Sequence, residues 1–299
     1  DLVWVKSRTN TNFNNIADSV RGTGRLLYTN STVGEDVNTG IINSFNSDGF
    51  GVGSDNSANQ SSQNFVAWCW KAGAGTTSTN TNGSITSVVS ANQDAGFSIV
   101  SYTGTGASNA TVGHGLGKTP GFAILKCRDT NSVSNEWRTQ HKGLTSGYYI
   151  ALNSTAAQAQ ISATSYGSLG TFTSSSTVTL QAGATDSTTT NESGKRYIMY
   201  LWAEIEGYSK FGSYNGNGST DGPFVYCGFK PAWVMIKNIS GSHNWEIYDS
   251  SMNPINPVGL TLLPNTSDIQ TDTTPRLDFL SNGFKWRNIG GSVNGSGNT

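Results

Sequence analysis

Charge is scarce in this chain. Only 12% of its 299 residues are Asp, Glu, Lys or Arg, and the formal net charge is -1. Phosphate backbones are held by clustered Lys and Arg, so this balance speaks against nucleic acid as a partner. It speaks equally against a membrane-surface helix, which needs a basic polar face. Long apolar runs are also missing. No stretch reaches the ~18 residues of a bilayer span, so no membrane insertion is expected. The opening Asp1-Leu2-Val3-Trp4-Val5-Lys6 has no basic segment leading into an apolar one and does not read as a signal peptide. Cysteine is rare and odd in number: Cys69, Cys127 and Cys227, none in a C-x-x-C pair. That excludes a disulfide framework and a zinc ribbon, and predicts three buried free thiols in a protein assembled in a reducing cytoplasm.

What is present is Gly, at 36 residues, together with abundant Ser, Thr and Asn and 10% aromatic residues. A disordered chain would lack the aromatics. Small polar residues in turns, with aromatics in the strands between, describe a turn-rich β protein. No segment has 3.6-residue periodicity, so helix should be minimal.

The chain repeats itself three times. Each copy opens with an apolar strand ending in Lys: Leu2-Val3-Trp4-Val5-Lys6, Phe122-Ala123-Ile124-Leu125-Lys126 and Trp233-Val234-Met235-Ile236-Lys237. An Asn-rich turn and a second strand follow, at 136–141 and 244–249, with Trp137 and Trp245 in matching places. The first copy, at 13–18, has lost the Trp. A third strand ends in Asn plus hydroxyl residues: Asn30-Ser31-Thr32, Asn153-Ser154-Thr155 and Asn265-Thr266-Ser267. A hairpin is then signalled by Asp48-Gly49 and by Asn282-Gly283, dipeptides that tolerate φ > 0. The copy closes on an aromatic strand, Asn64–Trp70 or Arg196–Trp202. A leader element, 96–106 or 210–218, runs through a Pro (Pro120 or Pro231) into the next opening strand.

One unit of this kind has the ~100 residues of a single β-sandwich. The expected fold is therefore all-β: tandem antiparallel β-sandwich repeats of jelly-roll type. The expected boundaries are 1–72 for a first repeat without its leader strand, 73–95 for a Gly/Ser/Thr linker or loop, 96–206 for a second repeat, and 207–299 for a third without its closing strand. A further flexible loop is expected at 181–194. The repeat is out of phase with the chain, so either the chain is part of a longer one or its termini are completed by strands of a neighbouring chain, which predicts assembly.

Several strings resemble a repeat family common in the genomes of tailed phages, especially marine ones. They are Val-Trp-Val-Lys, Asp-Ser-Val-Arg-Gly, Phe-Asn-Ser-Asp-Gly-Phe and Val-Ala-Trp-Cys-Trp-Lys within 2–71. Phe-Ser-Ile-Val-Ser-Tyr-Thr-Gly-Thr-Gly and Val-Gly-His-Gly-Leu lie within 97–116, and Phe-Gly-Ser-Tyr-Asn-Gly-Asn-Gly-Ser-Thr-Asp-Gly within 211–222. The resemblance implies a virion structural protein, such as a tail fibre, capsid fibre or decoration, without a known reaction. It also implies a place on the virion surface, homo-oligomers, contacts with other virion proteins, and a host-surface glycan as a further partner. The second copy departs most, with Ala/Thr/Ser-rich sequence at 155–177.

Candidate chemistry is thin. His114 sits in a Gly-flanked turn, His243 in an Asn-rich turn, and His141 takes the place held by Asp18 and Asp249 in the other copies. No nucleophile elbow, zincin or P-loop motif occurs. Asn215, Asn217, Ser219 and Asp221 alternate as in a calcium loop, but with one carboxylate where calcium takes six to eight oxygens. A Gly-rich turn is the better reading. Trp68, Trp70, Trp137, Trp202, Trp233 and Trp245 fall in strands, which favours core over a sugar platform. Lys6, Lys126 and Lys237 are expected to snorkel over sheet edges. No catalytic residue, metal site or cofactor is expected, and no ligand-binding residue stands out. The competing readings are a carbohydrate-binding module of a secreted bacterial protein and a polysaccharide depolymerase.

Overall fold

A computed structural model describes residues 1–129, 135–163, 167–184 and 188–299, and of Thr273 and Thr274 the backbone alone. The protein is nearly all β, with short helical turns at Asn56–Asn59, Ile161–Ala163 and Thr188–Asn191. The last falls in the expected loop at 181–194, of which 185–187 lie outside the described residues, as do 164–166 of the segment 155–177.

The first repeat holds β1 (Leu2–Ser7), β2 (Asn15–Asp18), β3 (Arg25–Tyr28), β4 (Asp36–Val37), β5 (Ile42–Phe45), β6 (Phe50–Val52) and β7 (Phe65–Trp70). They form a five-stranded sheet, β4-β3-β2-β1-β7, and the hairpin β5-β6. The second repeat runs through β8 (Ser78–Asn80), β9 (Ser87–Asn92), β10 (Phe97–Thr103), β11 (Ala110–Gly113), β12 (Pro120–Cys127), β13 (Arg138–His141), β14 (Tyr148–Ala151), β15 (Ala159–Gln160), β16 (Ser168–Leu169), β17 (Thr177–Gln181) and β18 (Arg196–Ala203). Its eight-stranded sheet, β15-β14-β13-β12-β18-β10-β9-β8, faces a three-stranded sheet, β11-β17-β16. The third repeat holds β19 (Phe224–Tyr226), β20 (Trp233–Lys237), β21 (Trp245–Asp249), β22 (Val258–Thr261), β23 (Thr271–Leu280) and β24 (Gly283–Trp286). These make a pair, β20-β21, and a four-stranded sheet, β19-β24-β23-β22.

Residues 73–95 are not a linker. They supply β8 and β9, and β9 pairs antiparallel with β10 along its length. Ile85 and Val89 enter the core of the second repeat, and the buried Ser87 donates from its hydroxyl to the Gly113 carbonyl at 2.9 Å. Serine hydroxyls bonded to backbone let a polar-looking segment be a buried strand.

Period-two alternation on the opening strands explains how the repeats are arranged. Leu2 and Trp4, Phe122 and Ile124, and Trp233 and Met235 all point into one central core, with Trp137 and Trp245. Their alternate neighbours point outward into a separate core for each repeat: Val3 and Val5, Ala123 and Leu125, Val234 and Ile236. Three sheets thus share one inner core and each keeps an outer one.

Equivalent hydrogen bonds lock the three into a closed ring. Lys126 Nζ donates to the Thr32 carbonyl of the first repeat at 3.0 Å, Lys237 Nζ to Thr155 of the second at 3.1 Å, and Lys6 Nζ to Thr266 of the third at 3.1 Å. The indoles follow the same order. Trp137 Nε1 donates to the Tyr28 carbonyl at 2.8 Å and Trp245 Nε1 to Ala151 at 3.0 Å. Asn14 replaces the missing Trp and donates to Pro264 at 2.9 Å. Backbone bonds repeat the pattern: Glu35 N–H to Arg128, Gln158 to Ile239 and Gln270 to Arg8. The three asparagines of the Asn-plus-hydroxyl motifs, Asn30, Asn153 and Asn265, each accept from the N–H of Asn14, Trp137 or Trp245.

The lysines therefore do not snorkel. Lys6 and Lys126 are 1% and 0% exposed, and Lys237 is half-buried. Burial drives the Lys126 pKa down to about 7 and those of Lys6 and Lys237 to about 8. Nor do all cysteines sit in cores. Cys127 is buried, Cys227 is half-buried, and Cys69 is exposed because β7 is an edge strand whose outer face is poorly covered. The hairpins form where expected, but Gly283 has another role. It pairs with Leu280, leaving Ser281 and Asn282 in the turn, and an added Cβ would run into the Val225 carbonyl of β19. Close approach of a neighbouring strand, not positive φ, selects this glycine.

Both termini make hydrogen bonds within the chain. Asp1 accepts from the N–H groups of Ser19, Ala72 and Gly75, and the Thr299 carbonyl accepts from Ile239 N–H at 2.8 Å. What stays open is one edge of β20. Among the described residues β20 pairs only with β21, whereas β1 lies between β2 and β7 and β12 between β13 and β18.

Candidate functional site

The open edge of β20 borders an apolar cleft of about 870 Å³. That is the size range of small-ligand pockets. Its floor is the aromatic end of the central core. Trp233 meets Trp68 edge-on at 6.2 Å and Trp70 at 6.0 Å, and Trp70 meets Trp202 at 5.7 Å. Phe211, stacked on Phe122 at 6.2 Å, lines the wall opposite β20. The indole Nε1 of Trp233 is buried without a partner, a cost of about 1–3 kcal/mol for an unpaired donor.

The expected core tryptophans thus divide. Trp68, Trp137, Trp202 and Trp245 are buried, while Trp70 and Trp233 are half-buried at the cleft. The register of β7 against β1 puts Trp68 and Trp70 on one face, opposite Trp4 and Leu2, and Cys69 on the other.

His141 stands at one end of the cleft. Its Nδ1 accepts from the Gly143 N–H at 2.9 Å, which leaves the proton of the neutral ring on Nε2. Burial, with help from the Lys142 charge, holds its pKa down near 4. The same position in the other repeats is a carboxylate that accepts from an aromatic residue of the next closing strand. Asp18 Oδ2 accepts from Tyr200 Oη at 2.6 Å, and Asp249 Oδ2 accepts from Trp68 Nε1 at 2.8 Å. Asp18 also binds the buried Arg21 at 2.5 Å. These residues were grouped by sequence as repeat equivalents, but their shared role needed the ring.

The other histidines lie elsewhere. His114 is fully buried in the second repeat, where its Nδ1 accepts from Leu116 N–H at 3.2 Å and its carbonyl accepts from Ser98 Oγ at 2.6 Å. Burial lowers its pKa to about 4. His243 gives its backbone to the ring, donating from N–H to Thr155 and accepting from Lys237 Nζ. In the loop at 215–222, Asn217 accepts from Ser219 N–H and Ser219 from Asp221 N–H, while the Asp221 carboxylate pairs with Lys285 at 2.7 Å. Its oxygens are spent on the turn, on Lys285 and, at Asn215, on the Thr299 hydroxyl. Among the described residues no group of three or more His, Cys, Asp and Glu is placed to hold a metal ion, and no helix is long and apolar enough to cross a membrane.

A family model described as a domain of unknown function, DUF7483, matches residues 1–299. The chain belongs to this family. No curated protein and no solved structure matches it. In this DUF7483 chain the cleft beside β20 lies where β7 stands against β1 and β18 against β12 in the other two repeats.

Proposed function

We propose that the protein is a non-catalytic structural or adhesive component of a bacteriophage particle, of tail-fibre, capsid-fibre or decoration type, acting at the virion surface by assembly and multivalent display. The observation that carries this reading is the interlocked ring. Its buried lysines, its tryptophan N–H groups and its motif asparagines are spent on joining repeats. That is the use of polar side chains expected in a stiff scaffold, and avidity through many weak contacts needs stiff modules. The resemblance of its repeat strings to tailed-phage proteins supplies the setting. Among the described residues the cleft walls carry His141 and lysines but no Asp or Glu. Hydrolysis of a glycosidic bond ordinarily uses a pair of carboxylates, so this lining disfavours a depolymerase.

Immunogold electron microscopy of purified phage particles, with antibody against this chain, tests the proposal. Label at regular positions on the particle surface is the expected result. Particles free of the chain by labelling and by mass spectrometry would refute it. The carbohydrate-binding alternative draws on the half-buried Trp70 and Trp233, since sugars stack on flat rings. Saturable glycan-array binding that is lost in Trp233→Ala would favour it.

A further inference from the structure

We propose that the recess where the first repeat meets the second binds an acidic sugar, a saccharide unit that carries a carboxylate beside its hydroxyls. This gives the adhesive reading above a ligand class and rests on that reading for its setting.

The recess has a volume of about 550 Å³, and Phe13, Asp36, Arg128, Asp129 and Arg196 are among the residues that line it. That is the size of a small-ligand pocket. The other two joints of the ring show what a joint requires. All three are closed by the same backbone bond, Glu35 N–H to Arg128, Gln158 to Ile239 and Gln270 to Arg8. Beside that bond the second joint has the uncharged Gln158 and Ile239, and the third has one side-chain bond, Arg8 Nε to Gln270 at 2.7 Å. A joint therefore needs no cluster of charges. Yet at the first joint four arginines converge on Glu35. Arg128 holds it with two bonds, at 2.8 and 3.0 Å. Arg21, Arg25 and Arg196 stand 3.4, 3.5 and 3.9 Å from it. Burial opposes the Glu35 charge, but the arginines outweigh it and lower its pKa. One carboxylate cannot satisfy four guanidinium groups. Asp18 takes up Arg21, and Asp129 takes up Nε and Nη2 of Arg196. Among the described residues, Nη1 of Arg128 and Nη1 of Arg196 make no hydrogen bond. They are donors on two sides of one recess, of the kind that a carboxylate accepts best.

Asp36 selects against a bare anion. It is exposed, and its two oxygens accept from Tyr28 Oη at 2.6 Å and from Val37 N–H at 2.7 Å. Each oxygen has a further lone pair, which a hydroxyl can use and an anion cannot. Phe13 adds a third demand. Its ring is 49% exposed and is held from behind by stacking on Tyr28 at 4.5 Å. In the other repeats this position is the polar Glu136 or Asn244. A ring fixed in this way offers a flat apolar face to the C–H side of a sugar. A uronate meets all three demands: a carboxylate for the arginines, hydroxyls for Asp36 and a C–H face for Phe13.

The test is calorimetric titration of the 299-residue chain with oligogalacturonate, compared with a maltooligosaccharide of equal length as the neutral probe. The uronate should bind saturably, about tenfold or more tighter than the neutral chain, and more weakly as salt rises. Phe13→Ala and Arg196→Gln should each weaken it about tenfold. Both side chains are half-exposed, so the melting temperature should hold and serve as the control for folding. Lys285→Gln removes a cation in the third repeat and should leave binding unchanged, which separates a site from attraction by charge at large. In the unaltered chain, uronate should shift the NMR amide signals of Asp36, Val37 and Arg196. No saturable binding, equal affinity for the neutral chain, equal losses in Lys285→Gln and Arg196→Gln, or shifts confined to other residues would overturn the proposal. Uronate binding with unlabelled phage particles would remove the virion setting and leave the site standing. Labelled particles whose chain binds no uronate would overturn the site and keep the setting.

Discussion

The opening strands of the second and third repeats are close in sequence and differ in fate. Pro120–Cys127 is flanked on both edges, and all eight of its residues are buried. Trp233–Lys237 is flanked on one edge, and of its five residues only Val234 is buried. Both offer alternating apolar side chains to the same central core. A strand's own pattern therefore sets which way its side chains point, while its burial depends on whether a neighbour occupies the next position in the sheet.

The largest expected effect separates the closed part of the ring from the open part. Trp137→Ala should cost about 3–5 kcal/mol in denaturant unfolding, because it empties a fully buried site and breaks the bond to Tyr28. Trp233→Ala should cost about 1 kcal/mol, since that ring already borders a void. Equal losses at the two positions would mean that the third repeat is as closed as the second.

Next come the lysine staples. Lys126→Met leaves the Thr32 and Asn135 carbonyls without their donor and should cost about 1–3 kcal/mol. Lys237→Met should cost less, because Lys237 is half-exposed and water can replace it. Urea unfolding of the two variants compares them directly.

A smaller effect is set by pH. The His114 pKa is depressed from 6.5 to about 4 in the folded protein. Between these values the unfolded chain binds more protons than the folded one, so stability falls as pH falls from about 6.5 towards 4. The contribution is on the order of 3 kcal/mol. His114→Asn should flatten this slope in thermal unfolding at pH 4 to 7. His141, at the cleft, titrates in the same direction, so His141→Asn should flatten the remainder of the slope in the same measurement. The smallest effect is at Asp221, whose exposed pair with Lys285 should be dispensable. Asp221→Asn should leave the melting temperature within error, which separates this surface loop from the ring bonds.

Much of the fold was legible in the residues. Alternation marked β1, β12 and β20, and the aromatic runs marked β7 and β18, because side-chain period is a local property of a strand. Other parts were not legible. Residues 73–95 look like linker because serine and threonine signal turns, yet the buried Ser87 and Ser90 hydroxyls are bonded to backbone inside a sheet. The three lysines look like edge charges because a sequence does not reveal which carbonyls will surround an ammonium. The candidate site was half legible. The lack of a closing strand in the third repeat and the odd identity of His141 could both be seen, but not that they meet in one cleft.

The sequence by itself determined that this chain is β, that it is built three times over, and which face of each opening strand is apolar. These follow from local patterns of period two and from turn residues. Only the tertiary structure decided that the three copies close on one another rather than stand in a row. The bonds that close the ring join backbone carbonyls and buried side chains far apart in the chain, such as Lys6 with Thr266 and Trp245 with Ala151. A carbonyl is the same in every residue, so no pattern in the residues could name those partners before the sheets were packed.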